Sequence, residues 1–262
     1  MNIIVQKYGG TSVADIDRIK SVASRIASRV KGGESIAVVL SAMAGETNEL
    51  LKMASGVSEN PNPRDMDLLL STGEQMSIAI LAMTLKEIGI DCETFLGHQA
   101  GVITDDKHGR ARIKRMDVTS VQEALDQGMV AIVAGFQGVS ESGEITTIGR
   151  GGSDTSAVAL AAALNAERCE IFTDVDGIYT ADPNICSSAK LLDRTSYEEM
   201  MELADAGAKV LHTRAVELAA KYRVPLEVRS SFGNKKGTMV VPEDEISEGT
   251  IVTGITCNID EA

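Results

Sequence analysis

Short aliphatic runs with almost no polar interruption, separated by stretches of helical periodicity, constrain the fold of this 262-residue chain more than any other feature. A strand with one wet face alternates apolar and polar residues. A strand that is apolar at nearly every position is buried on both faces, the condition of a parallel strand inside a sheet. Ile3–Lys7, Ser35–Leu40 and Val130–Ala134 read this way, and Asp91–Leu96, Glu170–Thr173, Leu226–Arg229 and Ile251–Ile255 join them as expected strands. Between the first two, Ile16, Ile19, Val22, Ala23, Ile26 and Val30 recur at helical spacing until Gly32-Gly33 ends the pattern. Further helices are expected over Met66–Glu87, open to a break near Gly73, and over Val118–Leu125, Ser153–Asn165, Ser196–Ala204 and Ala208–Tyr222. This rhythm predicts an α/β protein, a three-layer αβα sandwich around a mostly parallel open sheet.

No repeat, low-complexity tract or clean linker divides the chain, so residues 1–262 are expected to form one unit with two lobes about a cleft. Gly56–Pro63 reads as a surface connector between helices, and Ala100–Arg115 as a region carrying a small hairpin. Trp is absent and aromatics are 3%, so Ala, Val, Ile, Leu and Met build the core. The formal net charge of −13 repels nucleic-acid backbone and anionic lipid, so neither is an expected partner. An anionic substrate would need local cations or a metal. No apolar run approaches the ~18 residues of a membrane span, and the N-terminus lacks the apolar core of a signal peptide. Cys92, Cys169, Cys186 and Cys257 form no C-x-x-C pair and read as thiols in a reducing cytosol. His98, His108 and His212 lack metal-ligand spacing and read as ordinary polar or partly buried residues, so no protein metal site is expected.

Ligands of an open parallel sheet bind just past the carboxyl ends of its strands. Lys7-Tyr8-Gly9-Gly10-Thr11-Ser12 ends the first strand. Two glycines let backbone N–H groups approach an anion, a helix N-terminus is expected next, and the Lys7 ammonium reaches the same space. A plain turn with Thr11 or Ser12 as helix cap accounts for the hydroxyls but not for the lysine. Ser41-Ala42-Met43-Ala44-Gly45 and Thr47 follow the second strand; they permit close backbone approach, as a flexible loop would. Gly149-Arg150-Gly151-Gly152-Ser153-Asp154 opens the Ala-rich helix. There Arg150 suits a carboxylate, the glycines suit a phosphate, and Asp154 could orient lysines or metal-bound water; Ser153 and Asp154 could also cap the helix. Thr173–Pro183, with Asp174, Tyr179 and Asp182, suits the side of a nucleotide or any acidic surface turn. Lys209, at the start of a later helix, is a second phosphate cation or an exposed helix lysine, and on spacing alone Glu74 in Ser71-Thr72-Gly73-Glu74 fits a capping box. G-x-x-x-x-G-K-[ST], the H-R-D…D-F-G set and a clean G-x-G-x-x-G are all missing, which excludes a Walker-type site and a protein kinase.

Together these turns resemble the amino-acid kinase family and, within it, the aspartokinases. Lys7-Tyr8-Gly9-Gly10-Thr11-Ser12-Val13 is similar to the aspartokinase signature. Ser41-Ala42-Met43, Ser71-Thr72-Gly73-Glu74, Gly135-Phe136-Gln137-Gly138, Gly149–Asp154 and Thr173–Pro183 resemble its remaining blocks in the family's order, and are shared more loosely with N-acetylglutamate, carbamate and uridylate kinases. The resemblance implies a cytoplasmic enzyme that uses ATP and Mg²⁺ to phosphorylate the β-carboxylate of L-aspartate, the entry to lysine, threonine and methionine synthesis. It implies an N-terminal amino-acid lobe and a C-terminal nucleotide lobe. By the same resemblance, Lys7 contacts the transferred phosphoryl group, Gly9 and Gly10 cradle phosphate, Lys209 is the second phosphate lysine and Asp154 organises both. Glu74 receives the α-amino group of aspartate and Arg150 its α-carboxylate, with Ser41, Thr47 and Ser153 lining the pocket. Thr173, Asp174, Tyr179 and Asp182 lie on the ATP side. A homodimer through the kinase domain is implied too. Aspartokinases generally carry C-terminal ACT domains, whereas this sequence stops at Ala262. The expectation is therefore a truncated kinase domain, or one regulated by a separate subunit.

Overall fold

The computed structural model describes residues 2–207 and 210–246. In chain order the elements are β1 (Ile3–Tyr8), α1 (Ile16–Lys31), β2 (Ser35–Leu40), α2 (Glu46–Val57), α3 (Pro63–Glu87), β3 (Cys92–Phe95), β4 (Val102–Thr104), β5 (Ile113–Met116), α4 (Thr119–Asp126), β6 (Val130–Ala134), β7 (Gln137–Ser140), β8 (Ile145–Thr147), α5 (Gly152–Ala163), β9 (Arg168–Thr173), β10 (Arg194–Ser196), α6 (Tyr197–Asp205), α7 (Thr213–Tyr222), β11 (Leu226–Ser230) and β12 (Thr238–Val241). The main sheet runs β10-β12-β11-β9-β1-β2-β6-β3, and a second, four-stranded sheet runs β5-β4-β7-β8. In the main sheet β1, β2, β3, β6, β9 and β11 are parallel, and the pair β12 and β10 runs the other way because β12 meets β11 antiparallel.

Side-chain alternation along β1 divides the core in two. Ile3 and Val5 pack with Ala157, Val158, Leu160 and Ala161 of α5 on one face. Ile4 and Tyr8 pack with Ile19, Val22 and Ile26 of α1 and Leu81 and Leu85 of α3 on the other. Of the parallel strands, β2 and β6 are apolar at nearly every position because helices cover both faces, while β1, β9 and β11 bury the polar Gln6, Glu170 and Glu227 among their apolar residues, and the layers are those of an αβα sandwich. Chain direction across the sheet reverses at β1: the path goes out through β2 to β6 and β3, then returns to β9 on the opposite side of β1. The crevice past the ends of β1 and β9 is therefore a topological switch point, where open α/β sheets bind ligands.

Several local expectations change. α3 is one unbroken helix, started by Pro63 in its first turn and by the Asn62 side chain, which accepts from Arg64 N–H. Gly73 does not break it: a Cβ there would lie 2.8 Å from the Ala42 Cβ, so glycine lets the helix press against the end of β2. Glu74 is consequently mid-helix and caps nothing. A single 3₁₀ turn, Gly10–Val13, follows the first glycine pair, and α1 begins later, capped by Asp15 rather than by Thr11 or Ser12. At α5 the N-cap is Gly151, not Ser153 or Asp154, and no side chain caps the helix. α7 starts at Thr213 with His212 as N-cap. Lys209, Cys257 and the expected strand Ile251–Ile255 lie outside the described residues. The hairpin expected within Ala100–Arg115 is present as antiparallel β4 and β5. α3 is long and apolar enough by composition to cross a membrane; here it packs on α1, α2 and the sheets, with Asp67, Ser71, Glu74 and Ser77 buried.

Candidate active site

Lys7 lies on the α5 side of β1, and its ammonium meets the Asp154 carboxylate of α5 at 2.7 Å, with both side chains largely buried. Gly9 follows at the strand end, its N–H donating to Phe172 O of β9 at 3.3 Å. A Cβ on Gly9 would stand 3.3 Å from the Lys7 Nζ, so the missing side chain leaves the ammonium open to the crevice. Gly10 is pressed against the next strand end, where a Cβ would lie 2.9 Å from Ala42 O. Ser41 N–H closes the same junction by donating to Tyr8 O at 3.1 Å. Ser12, a cap candidate in the sequence, caps no helix and is buried with its hydroxyl unpartnered. Cys169 is also buried on this side of the sheet, and burial pushes its thiol up, which makes it inert.

Glu74 reaches the end of β2 from α3. Its Oε1 accepts from Ala42 N–H at 3.0 Å, while Oε2 is buried without a partner. Burial raises its carboxyl from 4.5 to about 7, against the lowering effect of the Ala42 hydrogen bond. A buried acid with one oxygen unsatisfied is a socket for a cation or hydrogen-bond donor. Thr47, in the first turn of α2, is half-buried nearby in sequence to this strand end.

The turn ahead of α5 is built on two left-handed glycines, Gly149 (φ +86°) and Gly151 (φ +68°), flanking an exposed Arg150. Arg150 has no ion-pair partner among the described residues. Gly151 is obligatory twice over, because a Cβ there would also overlap the His212 ring at 2.3 Å. Arg214 holds the turn from α7, donating to Ile148 O at 2.7 Å and Ala111 O at 3.2 Å. Ser153 is buried against Gly135, whose Cβ would fall 2.9 Å from the Ser153 Oγ. Beside it Phe136, a non-glycine residue at φ +67°, donates its N–H to Ser156 Oγ at 3.1 Å and accepts from Ile148 N–H at 2.8 Å. Backbone strain of this kind gathers at functional sites. No side chain caps α5; the Gly152 N–H donates to Gly149 O at 2.9 Å, which leaves the Ser153 and Asp154 N–H groups as the helix's anion donors.

On the other side of the switch point Thr173 ends β9, and its hydroxyl donates to the exposed Asp174 at 3.1 Å. Tyr179 is half-buried and bridges to Leu191. The Asp182 carboxylate is engaged in its own turn, accepting from Asn184 N–H at 2.8 Å. The structure thus brings Lys7, Gly9, Gly10, Asp154, Ser41, Glu74 and Ser153 to neighbouring strand ends. Among the described residues no hydrogen bond or ion pair links Arg150, Thr47, Tyr179 or Asp182 to that cluster. Ser12, Phe136, His212 and Arg214 carry no sequence signal of their role, since each is defined by a contact or a backbone angle. No group of three His, Cys, Asp or Glu side chains among the described residues is placed to hold a metal ion.

A model of the amino acid kinase family matches residues 2–230. The chain is 55% identical over 255 residues to the aspartokinase of Geobacillus stearothermophilus, an overlap of 97% of this chain and 63% of that relative. It therefore spans somewhat under two thirds of the curated relative's length. Its fold superposes on aspartate kinase from Synechocystis with a TM-score of 0.81 at 50% identity, over 91% of this chain and 40% of that one. It superposes on E. coli aspartokinase III in complex with aspartate and ADP with a TM-score of 0.83 at 31% identity, over 97% and 67%. With most of its length matched and its glycine turns at the switch point of the sheet, the chain belongs to the amino acid kinase family.

Proposed function

We propose that the chain is the catalytic domain of an aspartokinase, transferring the γ-phosphoryl group of ATP to the β-carboxylate of L-aspartate to give 4-phospho-L-aspartate and ADP. The observation that carries this reading is Glu74, a buried carboxylate with one unpartnered oxygen at the end of β2, the strand beside the one that carries Lys7. That oxygen suits the α-ammonium of a free amino acid. The exposed, unpaired Arg150 suits its α-carboxylate. N-acetylglutamate has an acylated, uncharged nitrogen and would leave the Glu74 charge uncompensated, so the site favours an unmodified amino acid.

The acceptor carboxylate is already ionised at neutral pH and needs no general base. One carboxylate oxygen attacks the γ-phosphorus, the new O–P bond forms as the bridging O–P bond breaks, and ADP leaves with the bonding pair. Catalysis then reduces to alignment and to neutralising charge on the oxygens in flight. Lys7 supplies that charge, held in aim by Asp154. Gly10 and the Ser153 and Asp154 N–H groups at the start of α5 supply donors, the missing side chain of Gly9 leaves room for phosphate beside Lys7, and Mg²⁺ arrives with the phosphates of the nucleotide. Lys209 adds a second cation, and Thr173, Asp174, Tyr179 and Asp182 form the nucleotide side. Ser41, Thr47 and Ser153 line the amino-acid side, in an N-terminal acceptor lobe and a C-terminal nucleotide lobe. The exposed apolar side chains Leu68 and Met83 of α3 and Met53 of α2 support a homodimer through that surface. The test is to incubate the protein with ATP, Mg²⁺ and each candidate acceptor and trap acyl phosphate with hydroxylamine. Hydroxamate with L-aspartate alone is expected; product with N-acetylglutamate and none with aspartate refutes the assignment.

A further inference from the structure

α3 carries a second buried acid that the phosphoryl-transfer chemistry does not use. Asp67 is fully buried, and a carboxylate shut away from water is costly unless its oxygens are supplied with donors. Oδ1 accepts from Thr147 Oγ1 at 2.5 Å and from Gly109 N–H at 3.0 Å. Oδ2 accepts from His108 Nδ1 at 2.7 Å and shares the Gly109 N–H at 3.1 Å. A carboxylate oxygen only accepts, so the proton in the His108 contact sits on Nδ1. No lysine or arginine pairs with Asp67 among the described residues.

Two of the three donors, Thr147 and Gly109, lead to the Arg150 turn, and His108 adjoins Gly109. Thr147 ends β8, three residues ahead of Arg150. The Gly109 carbonyl lies against Gly149, where a Cβ would come within 2.9 Å of it. Asp67 stands seven residues before Glu74, about two turns along the same buried side of the same helix. One carboxylate therefore ties the helix that presents Glu74 to the turn that presents Arg150.

We propose that Asp67, together with His108, is a positioning residue that sets the separation of Glu74 and Arg150 and so defines the α-amino acid head group the pocket accepts. This rests on Glu74 and Arg150 being the ammonium and carboxylate ligands of the acceptor. None of the hydrogen bonds of Asp67, which run to the 108–109 loop and to β8, involves Lys7 or Asp154, so its loss weakens acceptor binding more than nucleotide binding. A displacement of about 1 Å at a binding group is enough to cost up to 10²-fold.

The experiment measures steady-state kinetics for Asp67→Asn, His108→Leu and His108→Asn, with circular dichroism and thermal unfolding to establish that each is folded. Asp67→Asn and His108→Leu are expected to raise the KM for L-aspartate about tenfold or more, to leave the KM for ATP within about twofold, and to reduce the preference for L- over D-aspartate. His108→Asn, whose amide N–H can stand in for Nδ1–H, is expected to recover most of the affinity. His108 is on the rim of the cluster with its side chain 19% exposed, so its variants carry the test if Asp67→Asn does not fold. Equal rises in both KM values, or a fall in kcat with the aspartate KM unchanged, overturn the proposal. Glu74→Gln and Arg150→Ala are measured beside them. If these leave the aspartate KM unmoved, the acceptor assignment fails and the clamp with it; if they raise it while the Asp67 and His108 variants do not, the clamp alone is wrong.

Discussion

Replacing Glu74 by Gln separates what burial does to this acid from what its charge does for the substrate. Burial raises the Glu74 carboxyl from 4.5 to about 7 in the folded protein, while the unfolded chain keeps the ordinary value. Between those two pH values the unfolded chain has released its proton and the folded protein has kept it. Folding therefore takes up a proton in that window, and stability falls as pH rises through it, levelling off above about pH 7. The rise corresponds to on the order of 3 kcal/mol. The glutamine amide does not titrate, so the stability of Glu74→Gln relative to the wild type should grow by that order between pH 4.5 and pH 8. Urea denaturation of both proteins at a series of pH values measures it, since the other carboxyls are common to both and cancel. Binding should move the opposite way. A substrate ammonium needs the ionised acid, which about one molecule in ten carries at pH 6, so the wild-type KM for aspartate should rise about tenfold from pH 8 to pH 6. The variant should bind aspartate weakly at pH 8 with no such slope. A flat difference in stability across the window, or a Glu74→Gln variant with wild-type KM, would refute the assignment of a buried, substrate-facing acid.

Lys7→Ala should keep its fold and lose about 10²–10³ in kcat, and in a double-mutant cycle with Asp154→Asn the two losses should be far from additive, because Asp154 acts through the lysine it holds; additive losses in hydroxamate yield would separate the pair. Gly151→Ala meets both a positive φ and the His212 ring, and should raise the aspartate KM and lower the unfolding midpoint more than Gly143→Ala, which has a positive φ but open space. Burial pushes the Glu170 carboxyl up, but hydrogen bonds and charge from Arg29, with Gln6 and Arg168, outweigh it and hold the carboxyl low. Its contribution is therefore present above pH 4.5 and lost as pH falls below that value. Glu170→Ala should destabilise by roughly 3 kcal/mol at pH 7 in denaturant titrations, and by less under acid conditions.

The parts of this molecule that were legible in the sequence are those decided within a few residues. Val130–Ala134 announces a buried parallel strand because every position is apolar, Ile3–Lys7 does so through its Ile3-Ile4-Val5 run, and the Lys7 turn announces a ligand because its lysine and two glycines fall within four residues. The misread parts are decided at long range. Gly73 looks like a helix break on propensity, yet it packs against Ala42, and only that contact shows why Glu74 points into the site rather than capping a helix. Asp67 has no signal of its own in the sequence, because its partners His108, Gly109 and Thr147 lie 41, 42 and 80 residues away. In the expected helix up to Tyr222, Val210–His212 is a bend and the helix runs from Thr213, with His212 lying against Gly151. Phe136 is a left-handed residue with no glycine to signal it. The family resemblance assigned Glu74 and Arg150 to the pocket, but it offers no reason for their geometry; the buried network does.

On the proposed function, a chain of net charge −13 must bind a nucleotide, a difficulty that the Lys7–Asp154 pair sharpens rather than relieves. Asp154 cancels most of the Lys7 charge as seen from a distance, and Asp174 and Asp182 stand exposed on the nucleotide side. The long-range field therefore does not draw an anion in; attraction comes only at contact, from backbone N–H groups, from Lys7 within its pair and from the metal the nucleotide brings. Screening acts over roughly 8–10 Å in ordinary buffers, so added salt removes the distant repulsion and leaves the contacts inside the crevice nearly intact. The KM for ATP should then hold steady or fall as sodium chloride is raised from 20 to ~200 mM, the reverse of a site that steers its substrate by charge. A steep rise in that KM would mean that basic groups outside the described residues dominate capture.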